Sequence, residues 1–346
     1  MTALSAADDA GSVPRRDSGE MDLEQFRVEL GGYCYRMLGS AFEMEDAVQE
    51  TLVRAWRSLD RFDEARGPLR SWLYTIATNI CLDMLRSAQR RARAMDLGPS
   101  AQAGPDLGVP LPQNMWLEPI PDGRVLPAGG DPAELTARRE TIRLAFVAAL
   151  QHLPPRQRAV LILRDVLSWK ADEVARLLGS TVASVTSALQ RARATLKTIE
   201  IAPAEPVQPT DQAQRRLLAR YCEAFERYDV ETLVSLLHED ATMSMPPFSW
   251  WLRGRAEIRR ALLAAGRPCE GARLVPTVAN GSPAFGQYRP SGPGGHLQPF
   301  ALIVVELSGG LINETTTYLD AERLFPLFDL PPLPPPSADS FSDRSG

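Results

Sequence analysis

Clusters of proline and glycine divide this chain of 346 residues, because neither residue is tolerated in the interior of long regular elements. The densest clusters are "LGPSAQAGPDLGVPLPQNMWLEPIPDGRVLPAGGDP", "IAPAEPVQPTDQ" and "LPPLPPPSADSFSDRSG". They predict a multidomain protein with a disordered arm at 1–20, a domain at 21–95, a flexible linker at 96–132, a domain at 133–200, a linker at 201–212, a domain at 213–330 and a disordered, proline-rich tail at 331–346.

Composition excludes several classes of protein. No apolar run approaches the roughly 20 residues of a membrane span, and residues 1–19 lack the apolar core of a signal peptide. We therefore expect a cytoplasmic protein with no membrane partner. The four cysteines form no Cys-x-x-Cys pair and the chain has three histidines, so the sequence predicts no metal site, no disulfide framework and no cofactor.

The segment "LRSWLYTIATNICLDMLRSAQRR", at 69–91, predicts one helix with an informative outer face. Its apolar stripe at helical spacing consists of Leu73, Ile76, Ala77 and Ile80. Outside that stripe lie Trp72, Tyr74, Thr75, Asn79, Asp83 and Arg86, followed by a basic end with Arg90, Arg91 and Arg93. Such a surface can stack on unpaired bases and hold phosphates. A solvated face with one half-buried tryptophan is the alternative.

A second motif, "KADEVARLLGSTVASVTSALQRARATL", predicts a helix at 170–178, a turn containing Gly179 and a helix at 182–197. This is the spacing of a helix-turn-helix, whose second helix enters the major groove. The outward positions are Thr181, Ser184, Thr186, Ser187, Gln190, Arg191 and Arg193. A supporting helix is predicted to begin at Pro155. A plain helical hairpin is the alternative.

Both motifs lie in blocks that resemble the extracytoplasmic-function (ECF) group of bacterial RNA polymerase sigma factors. "AFEMEDAVQETLVRAWRSLDRFD" with "GPLRSWLYTIATNICLDMLRS" is similar to sigma region 2, and "LPPRQRAVLILRDVLSWKADEVARLLGSTVASVTSALQRARATL" is similar to sigma region 4. We call 21–95 the region 2 domain and 133–200 the region 4 domain. The resemblance implies an alternative sigma factor that binds core RNA polymerase, recognises the -35 and -10 promoter elements and promotes strand opening. Binding DNA as a monomer within holoenzyme is compatible with the net charge of -5.

The resemblance also implies roles for particular residues. The region 2 domain would dock on the clamp helices of the largest polymerase subunit through Asp46, Gln49 and Glu50, for which a helix-cap or surface-charge role is the alternative. The region 4 domain would contact the flap of the second subunit. Candidates for the melted -10 element are Trp72, Tyr74, Asn79, Asp83, Arg86 and Arg90. Candidates for the -35 element are Ser184, Thr186, Ser187, Gln190, Arg191 and Arg193. The existence of an anti-sigma factor stays open.

The third block begins with helical patterns and continues with strand patterns in "PAFGQYR", "PFALIVVEL" and "LINETTTYL". It predicts an α+β cone, so the expected fold is two all-α sigma domains followed by an α+β domain. The block resembles the SnoaL-like, ketosteroid-isomerase-like fold through "LHEDATMSMPPFSWWLRGRAEI" and "NGSPAFGQY". The fold implies a pocket, with Met245, Trp250, Trp251, Tyr288, Phe300 and Thr316 as its candidate lining.

No opposed acid and base is visible in this block, so we predict no catalytic residue and no enzyme activity. His238 and Asp240 are expected to cap the turn before a strand. A regulatory role is favoured: the domain would dock on the sigma regions or the linker, either holding them closed or assisting polymerase binding. The alternative is a DNA-targeted enzyme or small-molecule-binding protein whose SnoaL-like domain carries the activity.

Overall fold

The computed structural model describes residues 22–86, 90–104, 106–129, 131–199, 211–291 and 294–335. The region 2 domain contains α1 (Arg27–Leu38), α2 (Ala41–Arg57) and α3 (Leu69–Met84). Helix α1 ends at Gly39, whose φ of 70° lets its N–H bond the Tyr35 carbonyl, and Ser40 then caps α2. Helix α3 is shorter than the predicted helix at 69–91, since it ends at Met84. Arg90 and Arg91 therefore lie outside any helix.

The segment predicted as a flexible linker is packed against the domains. It holds only short helical turns, including α4 (Asp122–Val125), as its prolines and glycines require. Yet Trp116, Leu117 and Ile120 are buried, and the Ala92 N–H and carbonyl bond the chain at Met115 and Leu117. Apolar side chains in the linker therefore find partners that the proline pattern does not reveal.

The region 4 domain contains five helices: α5 (Pro132–Glu140), α6 (Leu144–Gln151), α7 (Pro155–Leu161), α8 (Ala171–Leu177) and α9 (Val182–Lys197). One π-helical turn extends α7. Gly179 turns the chain between α8 and α9 with a φ of 57°, and Thr181 caps α9 by accepting the Ser184 N–H. Buried Val174, Val185 and Leu189 hold the two helices together as the predicted helix-turn-helix.

In its described residues, the C-terminal domain has a mixed six-stranded sheet and four helices. The strands are β1 (Leu237–Ser244), β2 (Trp251–Arg253), β3 (Arg273–Ala279), β4 (Ser282–Ser291), β5 (His296–Ser308) and β6 (Leu311–Tyr318), in the order β2-β1-β6-β5-β4-β3. The helices are α10 (Gln212–Glu226), α11 (Val230–Ser235), α12 (Arg255–Ala264) and α13 (Ala321–Leu327). Gly309 and Gly310, both at positive φ, close the β5–β6 hairpin. The predicted α+β fold class is confirmed.

Both faces of this sheet are buried. Phe285, Ile303 and Val305 point toward α10, α11 and α12. The alternate residues, such as Leu302 and Val304, share one apolar core with the region 2 and region 4 domains. Since a sheet buried on both faces is apolar on both, β4 and β5 show nearly continuous apolar runs. The C-terminal domain is therefore docked on the sigma domains through a face of its sheet.

None of the described helices is long and apolar enough to cross a membrane.

Candidate polymerase and nucleic-acid interface

The predicted docking residues of α2 lie together on one exposed face. Asp46, Gln49 and Glu50 are exposed, while Ala47 and Val48 between them are buried. The Glu50 carboxylate is 2.6 Å from Arg54, and the Gln49 side chain accepts a hydrogen bond of 3.2 Å from Arg27. The helix thus presents polar side chains that a partner surface can reach.

Four of the predicted outer positions are wholly or partly exposed, three on α3 and Arg86 two residues beyond its end. Asn79, Asp83 and Arg86 are exposed, with Arg86 3.3 Å from Asp83, and Trp72 is half-buried. Tyr74 does not lie on this outer face. Its side chain is 0% exposed and its ring lies in the core.

The burial of Tyr74 corrects its place among the -10 candidates. Its ring centroid is 5.2 Å from that of Tyr33 and 4.9 Å from that of Trp169 in the region 4 domain. Its position directly after Leu73 puts it about 60° around the helix from Ala77 at the edge of the apolar stripe, where a partner from another domain can cover it. The partner is distant in sequence, so the helical pattern alone could not indicate this burial.

The predicted basic end also needs correction. Arg91 is buried and forms an ion pair of 2.6 Å with Glu43, and Arg93 lies 3.4 Å from Asp96. Because α3 ends at Met84, these arginines leave the helix and turn into the protein. Arg90 remains exposed and donates a hydrogen bond of 2.6 Å to Nε2 of His152. Burial and the nearby Arg90 lower the pKa of His152, which favours the neutral, accepting imidazole.

Helix α3 faces the region 4 domain across a cleft of about 250 Å³. Trp72 and Thr75 line one wall, and Glu173, Arg176 and Leu177 of α8 line the other. The stacking candidate Trp72 therefore lies in a cleft shared with another domain, and its ring centroid is 5.3 Å from that of Phe62 in its own domain.

Beside the contact between α3 and α8, one arginine lies over two aromatic rings. The guanidinium of Arg70 lies 5.3 Å from the ring centroids of both Tyr74 and Trp169. Nε of Arg70 also donates to Glu29 at 3.0 Å. Cation–π contacts that are partly desolvated contribute on the order of 0.5–2 kcal/mol each. The region 2 and region 4 domains are thus in direct, specific contact.

The predicted recognition helix, α9, has an exposed outer side. Ser184, Thr186, Gln190 and Arg191 are exposed and Ser187 is half-buried. Arg193 is also exposed, but it forms two hydrogen bonds of 2.7 and 2.8 Å with Asp165. The structure therefore brings all six -35 candidates to the outer side of one helix.

A buried ion pair joins the C-terminal domain to the region 4 domain. The side chains of Arg143 and Glu306 are 7% and 8% exposed and lie 2.9 Å apart. Ser282 donates a further hydrogen bond of 3.0 Å to Glu306, and Arg143 also pairs with Glu140. Burial raises the pKa of Glu306 above its ordinary value, and the positive charge of Arg143 opposes that rise.

Asn280, in the turn between β3 and β4, makes a second polar contact between the C-terminal domain and the rest of the chain. The Asn280 side chain is buried; its Oδ1 accepts the Ile120 N–H at 2.9 Å, and its Nδ2 donates to the Tyr35 hydroxyl and the Ile142 carbonyl, both at 2.7 Å. One amide thus links the region 2 domain, the linker and the region 4 domain. The "NG" pair was visible in the sequence as a turn signal, but not as a junction.

The six candidate pocket residues do not line one pocket. Met245 and Trp250 belong to the apolar core between the sheet and α10–α12, and Tyr288 packs against Phe325 of α13. Phe300 lies under the guanidinium of Arg289, 3.8 Å away. The structure therefore separates the candidates: Met245 and Trp250 lie just outside β1 and β2 at the core under α10–α12, whereas Tyr288 lies beside α13.

Linker side chains fill the space beside Trp251 and Thr316, the other two candidates for the pocket lining. Trp251 packs with Trp116 and donates to the Gly98 carbonyl at 2.9 Å. Thr316 borders a cavity of about 10 Å³ that Trp116 and Leu117 also line, barely enough for one water. The described residues contain no group of three metal-ligating side chains. His238 and Asp240 lie within β1, where the His238 ring accepts the Asp240 N–H.

Two linked helical domains, the first with an exposed polar face on α2 and the second with a helix-turn-helix whose α9 is exposed, define a promoter-recognition factor of the sigma-70 type. Family models agree: sigma-70 region 2 matches residues 23–91, sigma-70 region 4 matches 143–196 and the SnoaL-like domain matches 218–315. ECF RNA polymerase sigma factor SigG of Mycobacterium tuberculosis is 43% identical over 333 residues, which cover 94% of this chain and 88% of SigG. The chain belongs to the ECF family of RNA polymerase sigma factors.

A second relative extends the comparison to structure. ECF RNA polymerase sigma factor SigJ of Mycobacterium tuberculosis is 32% identical over 224 residues, covering 64% of this chain and 63% of SigJ. The crystal structure of SigJ superposes with a TM-score of 0.57 at 21% identity, covering 89% of this chain and 98% of that one. The predictions of an alternative sigma factor and of a SnoaL-like extension are confirmed.

Proposed function

We propose that this arrangement is the closed form of the sigma factor, in which the C-terminal domain holds the region 2 and region 4 domains together until core RNA polymerase separates them. One observation carries the proposal: the Trp72 face of α3 lies across a cleft from α8 of the region 4 domain. A base flipped from the -10 element needs that face to be free.

The distance between promoter elements supports the same conclusion. By their names, the -35 and -10 elements lie about 25 base pairs apart, which is about 85 Å of duplex at about 3.4 Å per pair. Helix α9, with 16 residues, is about 24 Å long at 1.5 Å per residue. Domains whose Tyr74 and Trp169 rings touch cannot present α3 and α9 to both elements at once. Promoter recognition therefore requires opening.

In the open form, we propose that the exposed face of α2 docks on the clamp helices of the largest polymerase subunit and that the region 4 domain contacts the flap of the second subunit. Trp72, Asn79, Asp83, Arg86 and Arg90 would then meet the melted -10 strand. The exposed side of α9 would enter the major groove at the -35 element.

The C-terminal domain acts in this proposal as a regulatory clamp and not as a catalyst. Its support is the packing of this domain: an apolar core lies under α10–α12, and the cavity of about 10 Å³ that Thr316, Trp116 and Leu117 line is too small for an organic substrate. Catalysis would require a pocket with convergent acid and base groups.

Reversing the charge of the docking face tests the polymerase contact. In Asp46→Arg with Glu50→Arg, we expect core binding and promoter-specific transcription in vitro to fall at least about ten-fold, since the two substitutions reverse the charge and enlarge the side chains of the proposed contact face. Glu223→Arg, at an exposed position of α10, is the matched control and should leave both unchanged. Equal core binding by the double variant and the native chain would rule out this docking face.

The recognition helix gives a separate prediction. Arg191→Ala removes one exposed cation from α9, so duplex binding by holoenzyme should weaken similarly on all promoter sequences. The slope of log K against log salt concentration should also fall in magnitude by about one. Gln190→Ala should instead change the preference for particular -35 sequences by about 1–3 kcal/mol. If Arg191→Ala leaves the salt slope unchanged, Arg191 does not contact a phosphate.

A further inference from the structure

A second cleft between the region 2 and region 4 domains has a different composition. Its volume is about 180 Å³, and residues of both domains line it. Glu43, Arg90 and Arg91 come from the region 2 side, and Gln151 and Arg158 come from the region 4 side. The cleft therefore exists only while the two domains are in contact.

The cleft concentrates positive charge. Three lining residues are arginines and one is a glutamate. The Glu43 carboxylate is already engaged, because it lies 2.6 Å from Arg91. Arg90 lies at the exposed rim, where its contact is the neutral ring of His152. Two guanidinium charges in the cleft thus have no carboxylate beside them among its lining residues.

Arg158 is the more unusual of the two. It is 4% exposed, and its two terminal nitrogens already donate four hydrogen bonds to neutral groups: the Gln151 side chain and the carbonyls of Met37, Gln151 and Leu153. Its Nε has no hydrogen-bond partner in the described part of the chain. Burial lowers the pKa of Arg158 to about 10, so the group remains charged at neutral pH. A buried cation without a counterion is costly unless something pairs with it.

The chemistry that best satisfies these groups is a phosphate. Guanidinium groups bind phosphate oxygens through charge-assisted hydrogen bonds, for which Arg158 has its Nε–H left and Arg90 has an exposed side chain. A cleft of about 180 Å³ has room for a phosphate or diphosphate group and is too small for a nucleic-acid duplex.

We infer that this cleft binds a small phosphate-bearing anion, which stabilises the closed arrangement of the region 2 and region 4 domains. Opening separates Arg90 from Arg158, so the anion has a higher affinity for the closed form and shifts the population toward it. Such an anion restrains the sigma factor independently of any protein partner. A phosphate of single-stranded DNA shares this chemistry and is the other source to test.

The experiment is isothermal titration of the full-length chain with inorganic pyrophosphate, and separately with inorganic phosphate, at about 0.15 M salt, where surface charges are screened. The expected result is saturable binding of one pyrophosphate per chain and a raised unfolding temperature. Arg90→Gln should weaken binding at least ten-fold. Arg57→Gln, which removes an exposed arginine of α2 that does not line the cleft, is the matched control and should change binding less than two-fold.

The second variant, Arg158→Gln, should abolish pyrophosphate binding if the variant chain folds. If it does not fold, the comparison of Arg90→Gln with Arg57→Gln still tests the inference. Absence of saturable pyrophosphate binding overturns the inference, and so does an equal loss in Arg57→Gln. Binding of a dT oligonucleotide but not of pyrophosphate overturns it as well and assigns the arginines to DNA. Since the assay contains neither polymerase nor promoter, its failure is distinct from failure of the proposed sigma function.

Discussion

Replacing Arg143 with alanine is expected to weaken the docking of the C-terminal domain by about 3–5 kcal/mol, because it leaves the Glu306 carboxylate buried without its cation. Ser282 would remain as a hydrogen-bond donor, but a hydroxyl does not neutralise the charge. The closed form should lose population. Since core polymerase binds the open form in this proposal, its apparent affinity for the variant should rise.

Core binding by fluorescence anisotropy and urea unfolding of the free chain measure this effect together. Glu306→Gln, which keeps a polar partner for Ser282 but removes the charge, should act in the same direction. Arg138→Ala is the matched control: Arg138 pairs with Glu134 on the exposed side of α5, and the pair should contribute at most about 0.5 kcal/mol. A destabilised Arg143→Ala chain with unchanged core affinity would show that docking does not restrain polymerase binding.

Substitution of Asn280 by glycine should produce the second large effect. Asn280 has a φ of 56°, which glycine adopts without strain, so the substitution removes the side-chain amide and little else. The Ile120 N–H and the Ile142 carbonyl then lose a buried partner, at about 1–3 kcal/mol for each. We expect faster hydrogen exchange in the linker peptide around Ile120 and higher core affinity.

Further variants at this turn separate the loss of the side-chain amide from the backbone strain of a residue at positive φ. Asn280→Ala should be at least as destabilising as Asn280→Gly, because alanine lacks the amide and also resists positive φ. Gly309→Ala, at the β5–β6 hairpin, also places alanine at positive φ but removes no contact between domains. If Asn280→Gly left exchange at Ile120 as slow as in the native chain, the amide would not secure the linker.

Local elements were predictable where the sequence pattern and the turn chemistry agree. The helix-turn-helix has apolar spacing on both helices, Gly179 at the turn and Thr181 as a cap, so its ends were predicted within a residue. Strands β4, β5 and β6 show alternating or continuous apolar runs. Strand β3 was missed because Pro276 argues against a central strand; β3 lies at the edge of the sheet, where proline is tolerated.

The packing between domains was not predictable from local patterns. Tyr74 and Arg91 looked like surface residues because their partners, Trp169 and Glu43, come from distant parts of the sequence. The same holds for the linker. Its prolines predicted a flexible segment, whereas Trp116 is buried against the C-terminal domain. Burial of these residues depends on which domains meet, and periodicity within one helix contains no information about that.

The closed arrangement can be measured directly by the distance between the region 2 and region 4 domains in solution. Spin labels at Arg57→Cys and Lys197→Cys, both exposed, suit pulsed electron resonance in a chain whose Cys222 and Cys269 are replaced by serine. We predict one short, narrow distance in the free chain, and a longer distance when core polymerase is added. A broad, long distribution in the free chain would contradict the closed form. The same short distance in holoenzyme that initiates transcription would contradict the need for opening.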